Sequence, residues 1–174
     1  MPVSGSETGV ALARQPSGRI VLFGERSTSA AGPFSEPGYQ TVAWGLSANG
    51  QLDTSFGTGG EAVVPDTSPE LSGSPEAAEV DPAGRILVAA DQLQTNAYDG
   101  APLVARLTPS GSLDPTYGDG GETTGPAAAE VRALAIDAKG RAVIAGSISG
   151  VPYVERFTSD SGSSGPRANG MAAT

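Results

Sequence analysis

This chain is expected to be all-β, built as three tandem four-stranded antiparallel units, and three features carry that expectation. Residues 49–61 read NGQLDTSFGTGGE, and 61 residues further on positions 110–122 read SGSLDPTYGDGGE, with seven of the thirteen positions identical. A second motif occurs three times: ALARQPSGRIVLFGE, AAEVDPAGRILVAAD and ALAIDAKGRAVIAGS each set Gly18, Gly84 or Gly140 and an arginine between two apolar segments. Those glycines lie 66 and 56 residues apart, averaging to the spacing of the first motif, so one repeat organises the chain. The apolar segments are also only about five residues long, β-branched or small, and bounded by Gly, Pro, Ser and Asp, as strands and turns require.

The elements follow in order. Strand a is expected at 10–14, 77–80 and 131–136. A turn with Gly18, Gly84 or Gly140 at a positive φ, entered through Pro16 and Pro82, leads to strand b at 20–23, 86–89 and 142–145. Strand c is VAWGL at 42–46, LVARL at 103–107 and YVERF at 153–157, and strand d starts after the Gly-x-Gly-Gly, at EAVV 61–64 and ETT 122–124. The segment most like a helix, PAAAEVRALAI at 126–136, occupies the place of a strand start. The units are bounded at 9–74, 75–130 and 131–158, the third truncated because no Leu-Asp or Gly-x-Gly-Gly follows YVERF. Residues 1–8 match the end of a preceding repeat, and 159–174, rich in Ser, Gly and Ala, are expected to be a disordered tail.

The duplicated stretch has a scaffold meaning. Leu52 and Leu113 are expected to pack inward, while Asp53 and Asp114 bind backbone amides of the c–d connection. Phe56 and Tyr117 supply one large ring per unit, and Gly57 and Gly118 let the backbone pass close to it. Arg19, Arg85 and Arg141 recur at one repeat position, where a salt bridge or covered turn in each unit is expected. Position 45 is Gly where the other units carry Arg106 and Arg156.

Together these motifs resemble the delta-60 repeat, a bacterial tandem repeat of β-propeller type, over residues 9 to about 158. The resemblance implies a partial or open β-propeller, and a structural or binding module within a larger exported or surface bacterial protein. It implies an extracellular or cell-envelope location; residues 1–8, MPVSGSET, have no basic start and no apolar core of a signal peptide. The alternative is a fragment of a propeller enzyme acting on carbohydrate or another extracellular polymer.

Composition narrows the chemistry. Histidine and cysteine are both absent, which removes imidazole bases, Ser-His-Asp triads, thiolates and disulfides. A formal net charge of −9 repels nucleic acid and anionic membranes, and no apolar run reaches the length of a membrane helix. The Gly-x-Gly-Gly stretches lack the spacing and following helix of a phosphate loop. The carboxylates at 98–100 and 119–122 lack the alternation of a calcium loop. No catalytic, metal or cofactor site is therefore expected, and three units do not close a ring of 4–8 blades.

A ligand, protein or glycan, is expected instead on the b–c and d–a connections, which vary from unit to unit while the a–b turns hardly change. That face carries Phe34, Tyr39, Tyr98 and Asp99. Uncapped end units are further expected to allow self-association through their edges.

Overall fold

The computed structural model describes residues 7–27, 39–64, 71–94, 101–127 and 129–157, and among them every regular element is a strand. The first unit holds β1 (Glu7–Arg14), β2 (Ile20–Ser27), β3 (Tyr39–Leu46) and β4 (Glu61–Val63). The second holds β5 (Leu71–Val80), β6 (Ile86–Gln94), β7 (Pro102–Leu107) and β8 (Glu122–Thr124), and the third β9 (Ala129–Ile136), β10 (Ala142–Ile148) and β11 (Val151–Arg156). Each unit is one antiparallel sheet with its strands in chain order, and none of the sheets closes on itself. The third sheet has three strands among the described residues rather than the expected four. Nothing after Phe157 repeats the Leu-Asp and Gly-x-Gly-Gly that lead into β4 and β8.

The strands run longer than expected, with identifiable causes. Strand β5 starts at Leu71 and passes through Pro75, although a proline lacks the ladder donor. A bulge between Pro75 and Ala77 absorbs it. The same bulge occurs between Gly9 and Ala11, and opposite Ala145/Gly146 in β9. At the other end of the third unit, the expected 147–152 connection shrinks to a two-residue turn. Ser149 and Gly150 have φ of +51° and +78°, the left-handed pair that joins two twisted strands directly.

In every a–b turn the glycine amide donates three residues back, Gly18 to Gln15, Gly84 to Asp81 and Gly140 to Asp137. Their φ values of +90°, +83° and +76° are costly for any residue with a Cβ.

The sheets stack through two cores, and period-2 alternation in the middle sheet builds both. Ile86, Val88, Ala105 and Leu107 turn towards the first sheet, packing with Val21, Phe23, Ala43 and Phe56. Leu87, Ala89, Val104 and Tyr117 turn the other way, towards Val131, Ile144, Tyr153 and Phe157. Burial on both faces explains the unbroken apolar run ILVAA at 86–90. The first strands β1, β5 and β9 lie side by side along the stack, so the array is an open one of propeller type.

Gly118 (φ +54°) offers a direct test of the duplicated stretch, because a Cβ there would lie 1.9 Å from the carbonyl oxygen of Glu122. Gly120 (φ +64°) has nothing within 4 Å. Gly118→Ala is expected to lose about 2 kcal/mol or more in urea unfolding, and Gly120→Ala only about 1 kcal/mol. Equal losses would show that the close passage of Glu122 is not a constraint.

Candidate functional site

The polar chemistry of the described residues concentrates where the a–b turns meet the c–d connections. In the first unit Asp53 Oδ1 accepts from the Ser55 amide (3.0 Å) and hydroxyl (2.6 Å), and Oδ2 accepts from Arg19 Nε (2.8 Å). In the second, Asp114 Oδ1 accepts from the Thr116 amide (3.1 Å) and hydroxyl (2.6 Å), and Oδ2 accepts from Arg106 Nε (2.9 Å). Each guanidinium also covers its unit's ring, Arg19 at 5.6 Å from the Phe56 centroid and Arg106 at 4.7 Å from that of Tyr117.

The two guanidiniums come from different places in the unit, Arg19 from the a–b turn and Arg106 from a strand. Arg106 sits on β7, and its counterpart on β3 is Gly45, on which the Phe56 side chain rests so closely that a Cβ would come within 2.4 Å. Arg19 fills the gap because Gln15 stands where the other units have aspartate. Arg85 is held by Asp81 (2.6 Å) and Arg141 by Asp137 (2.5 Å) within their own turns. The third unit keeps the turn pair, and its Arg156 is exposed with no Leu-Asp segment following.

Gln15 accepts from Arg19 in its own turn (3.3 Å) and also crosses the first joint. Its Nε2 donates to the carbonyls of Gly84 (2.7 Å) and Pro109 (3.0 Å), while Arg19 donates to Pro109 (2.9 Å) and the Gly57 amide to Ser110 (2.7 Å). A groove of about 240 Å³ remains there, between Gln15, Arg19, Gly84 and Pro109. At the second joint Asp81 caps its own turn, bonding the Ala83 and Arg85 amides. The matching groove, between Val80, Pro82, Ile136 and Ala138, is about 430 Å³.

That second joint is tied at its opposite end. The bulge frees the Val131 amide from the ladder, and Asp91 of β6 accepts it at 2.7 Å. The residue equivalent to Val131 in the second unit is Pro75, which has no amide hydrogen to satisfy. Arg132 binds Glu130 (2.8 Å) and lies 3.6 Å from Asp91 and 3.8 Å from Glu76. Burial pushes the Asp91 carboxyl up, with Glu76 and Glu130 adding to it, against the pull of the Val131 amide and Arg132.

The other carboxylates shift downward. Asp53 falls to about 2, held first by the Ser55 hydroxyl and then by Arg19, and Asp137 to about 2, held first by Arg141. For Asp114, burial acts upward and is outweighed by Thr116 and Arg106. Arg26 grips Glu61 with two bonds and lowers it. These carboxylates are engaged in holding turns and sheets. Among the described residues no group of three or more is placed to hold a metal ion.

In both complete units the aspartate of the Leu-Asp motif bonds the amide two residues on. Leu52 and Leu113 are half-buried, seated against the backbones of Gly60 and Gly121, and Leu113 packs against the first core. Gly57 and Gly118 pass close to the carbonyls of Glu61 and Glu122, not beneath the rings; the glycines against Phe56 are Gly45 and Gly111. Of the expected ligand-face residues, Tyr39 opens β3, paired with Ser27, instead of lying in a loop. Phe34, Tyr98 and Asp99 lie outside the described residues. Gln15, Ser55, Thr116 and Asp91 were not singled out in the sequence. The readable signal for Gln15 is its column, where Gln replaces Asp in the same unit that has Gly in place of Arg.

Two measurements probe these pairs. Gln15→Asp is expected to draw Arg19 into its own turn, as in the other units. It would cost about 1–3 kcal/mol through the lost bonds to Gly84 and Pro109 and raise the Asp53 carboxyl in an NMR titration; an unmoved Asp53 would mean that Arg19 does not choose between them. Because Asp53 and Asp137 sit below their ordinary 3.8 when folded, their stabilisation is complete above that value and is lost as pH falls through about 2. Asp91 works oppositely, its contribution fading as pH rises through its raised value. Thermal melts should therefore fall below about pH 4, and less steeply in Asp137→Asn. An unchanged acid slope in that variant would remove Asp137 as a cause.

A family model described as a domain of unknown function (DUF5122) beta-propeller matches residues 82–117. The matched stretch runs from the second a–b turn to Tyr117 and contains Arg106 and Asp114. No curated protein and no solved structure matches the chain. Over that stretch the chain is similar to a propeller-type repeat family, in keeping with its three successive antiparallel sheets.

Proposed function

We propose that this chain is a non-enzymatic propeller-type module of the delta-60 kind, a structural or binding part of a larger exported or surface bacterial protein. It meets a protein or glycan ligand through the b–c and d–a connections. The observation that carries this reading is how the two ends of the sheets divide their labour. At the a–b end Asp53, Asp81, Asp114 and Asp137 are each taken up by an arginine and by hydrogen bonds in the turns and c–d connections, leaving little free chemistry there. The connections 28–38, 65–70 and 95–100 leave from the opposite end, since Ser27 and Tyr39 pair beside Glu7, far from the Gln15–Arg19 turn. Variation in length and composition falls on that end, where it does not disturb strands.

A glycan array and a pull-down of surface proteins supply the ligand. Replacing 28–37 and 95–100 by short Gly-Ser links is then expected to abolish its binding while the parent melting behaviour is kept. Unchanged affinity with an intact fold would place the site elsewhere.

A further inference from the structure

We infer that the chain joins a second copy of itself head to tail, the open face of the third sheet of one copy seating on the open face of the first sheet of the other. The inference follows from what the two internal joints require. The second sheet meets the first through Ile86, Val88, Ala105 and Leu107, all at most 1% exposed. At the same repeat positions the first sheet carries Ile20, Leu22, Trp44 and Leu46, which are only half-buried, and one strand over lies Leu12, 62% exposed. Going the other way, the first and second sheets present Val21, Phe23 and Ala43, or Leu87, Ala89 and Val104, to the sheet that follows, and all six are buried. The third sheet has Val143, Ala145 and Val154 at those positions, the first two half-buried and Val154 47% exposed. Among the described residues, the two halves of the joint thus stand open at opposite ends, a heterologous pair of surfaces.

The two faces also match in bulk. Each internal joint contains a ring from the c–d connection, Phe56 or Tyr117. Among the described residues, the open face of the third sheet carries no such ring. The first sheet supplies an indole, Trp44, at the position held by Ala105 in the second unit, and it lies across Gly24. Bulk missing from one face is present on the other. Two copies joined at both ends bring together six sheets, within the range of 4–8 in which such arrays close, so the contact ends at a dimer.

The test uses the full 174-residue chain with Leu12→Asp and Val154→Asp, two substitutions outside both internal cores. Sedimentation equilibrium of the parent is expected to give twice the chain mass. Each variant alone should be monomeric at the same concentration, with a dimer Kd raised at least about 100-fold by the buried carboxylates, and should melt like the parent diluted to its monomer. An equimolar mixture of the two variants should recover dimers, more weakly than the parent, because one joint then has two native faces. A parent that stays monomeric, or grows into polymers, overturns the proposal. So does a variant that dimerises like the parent, which would mark an isologous contact through the other face, and so does a mixture that stays monomeric. None of these outcomes depends on the ligand-binding connections, so the module reading stands or falls separately.

Discussion

The structure depends on a carboxylate held from two sides. Asp53 and Asp114 each accept a hydroxyl and an amide from two residues on, and a guanidinium from across the sheet. The first set of bonds bends the chain so that the next residue, Phe56 or Tyr117, points into the joint. The guanidinium then lies over the ring and keeps it there. Both rings are fully buried and belong to the cores that join successive sheets. Without the aspartate, a fully buried ring of each complete unit would have no set direction, and the next sheet would lose part of the surface it meets.

The same requirement is met by different residues in the two complete units. In the second, arginine is built into strand β7, and the a–b turn looks after itself through Asp81 and Arg85. In the first, glycine replaces that strand arginine, glutamine replaces the turn aspartate, and Arg19 moves across. Such coupled changes are what a shared ion pair predicts, because a carboxylate left without its cation is worse than either arrangement. A second consequence follows for the joints. Gln15 has no turn to cap, so it sews the first joint at the a–b end, whereas the second joint stays open there and is tied at the bulge end by Asp91.

The bulges contribute the other recurring constraint. An extra residue at one place in β1, β5 and β9 bends the innermost strand of every unit and leaves one backbone amide without a ladder partner. The units answer that amide differently: proline removes it at position 75, and Asp91 accepts it at position 131. Burial of the Asp91 carboxyl beside Glu76 and Glu130 makes this a costly solution, offset by Arg132 on the bulged position itself.

How much of this was legible from residues alone follows from range. Strand order, the positive-φ glycines and the Leu-Asp connection are local properties, set by spacing, turn chemistry and alternation within about twenty residues, and they could be read directly. The full extent of β5 could not, because Pro75 reads locally as a break and only a facing strand shows that a bulge absorbs it. Leu52 and Leu113 are apolar and recur, so inward packing could be read for both, but the sheets meet over the neighbouring rings, leaving both half-buried and Leu113 at the edge of the first core. The partners that Arg19, Gln15 and Asp91 find outside their own turns and strands lie 34 to 94 residues away. Repetition could say that each unit needs such bonds; which residue makes them was decided only when the sheets stacked, because a side chain takes whichever partner the neighbouring backbone brings within reach.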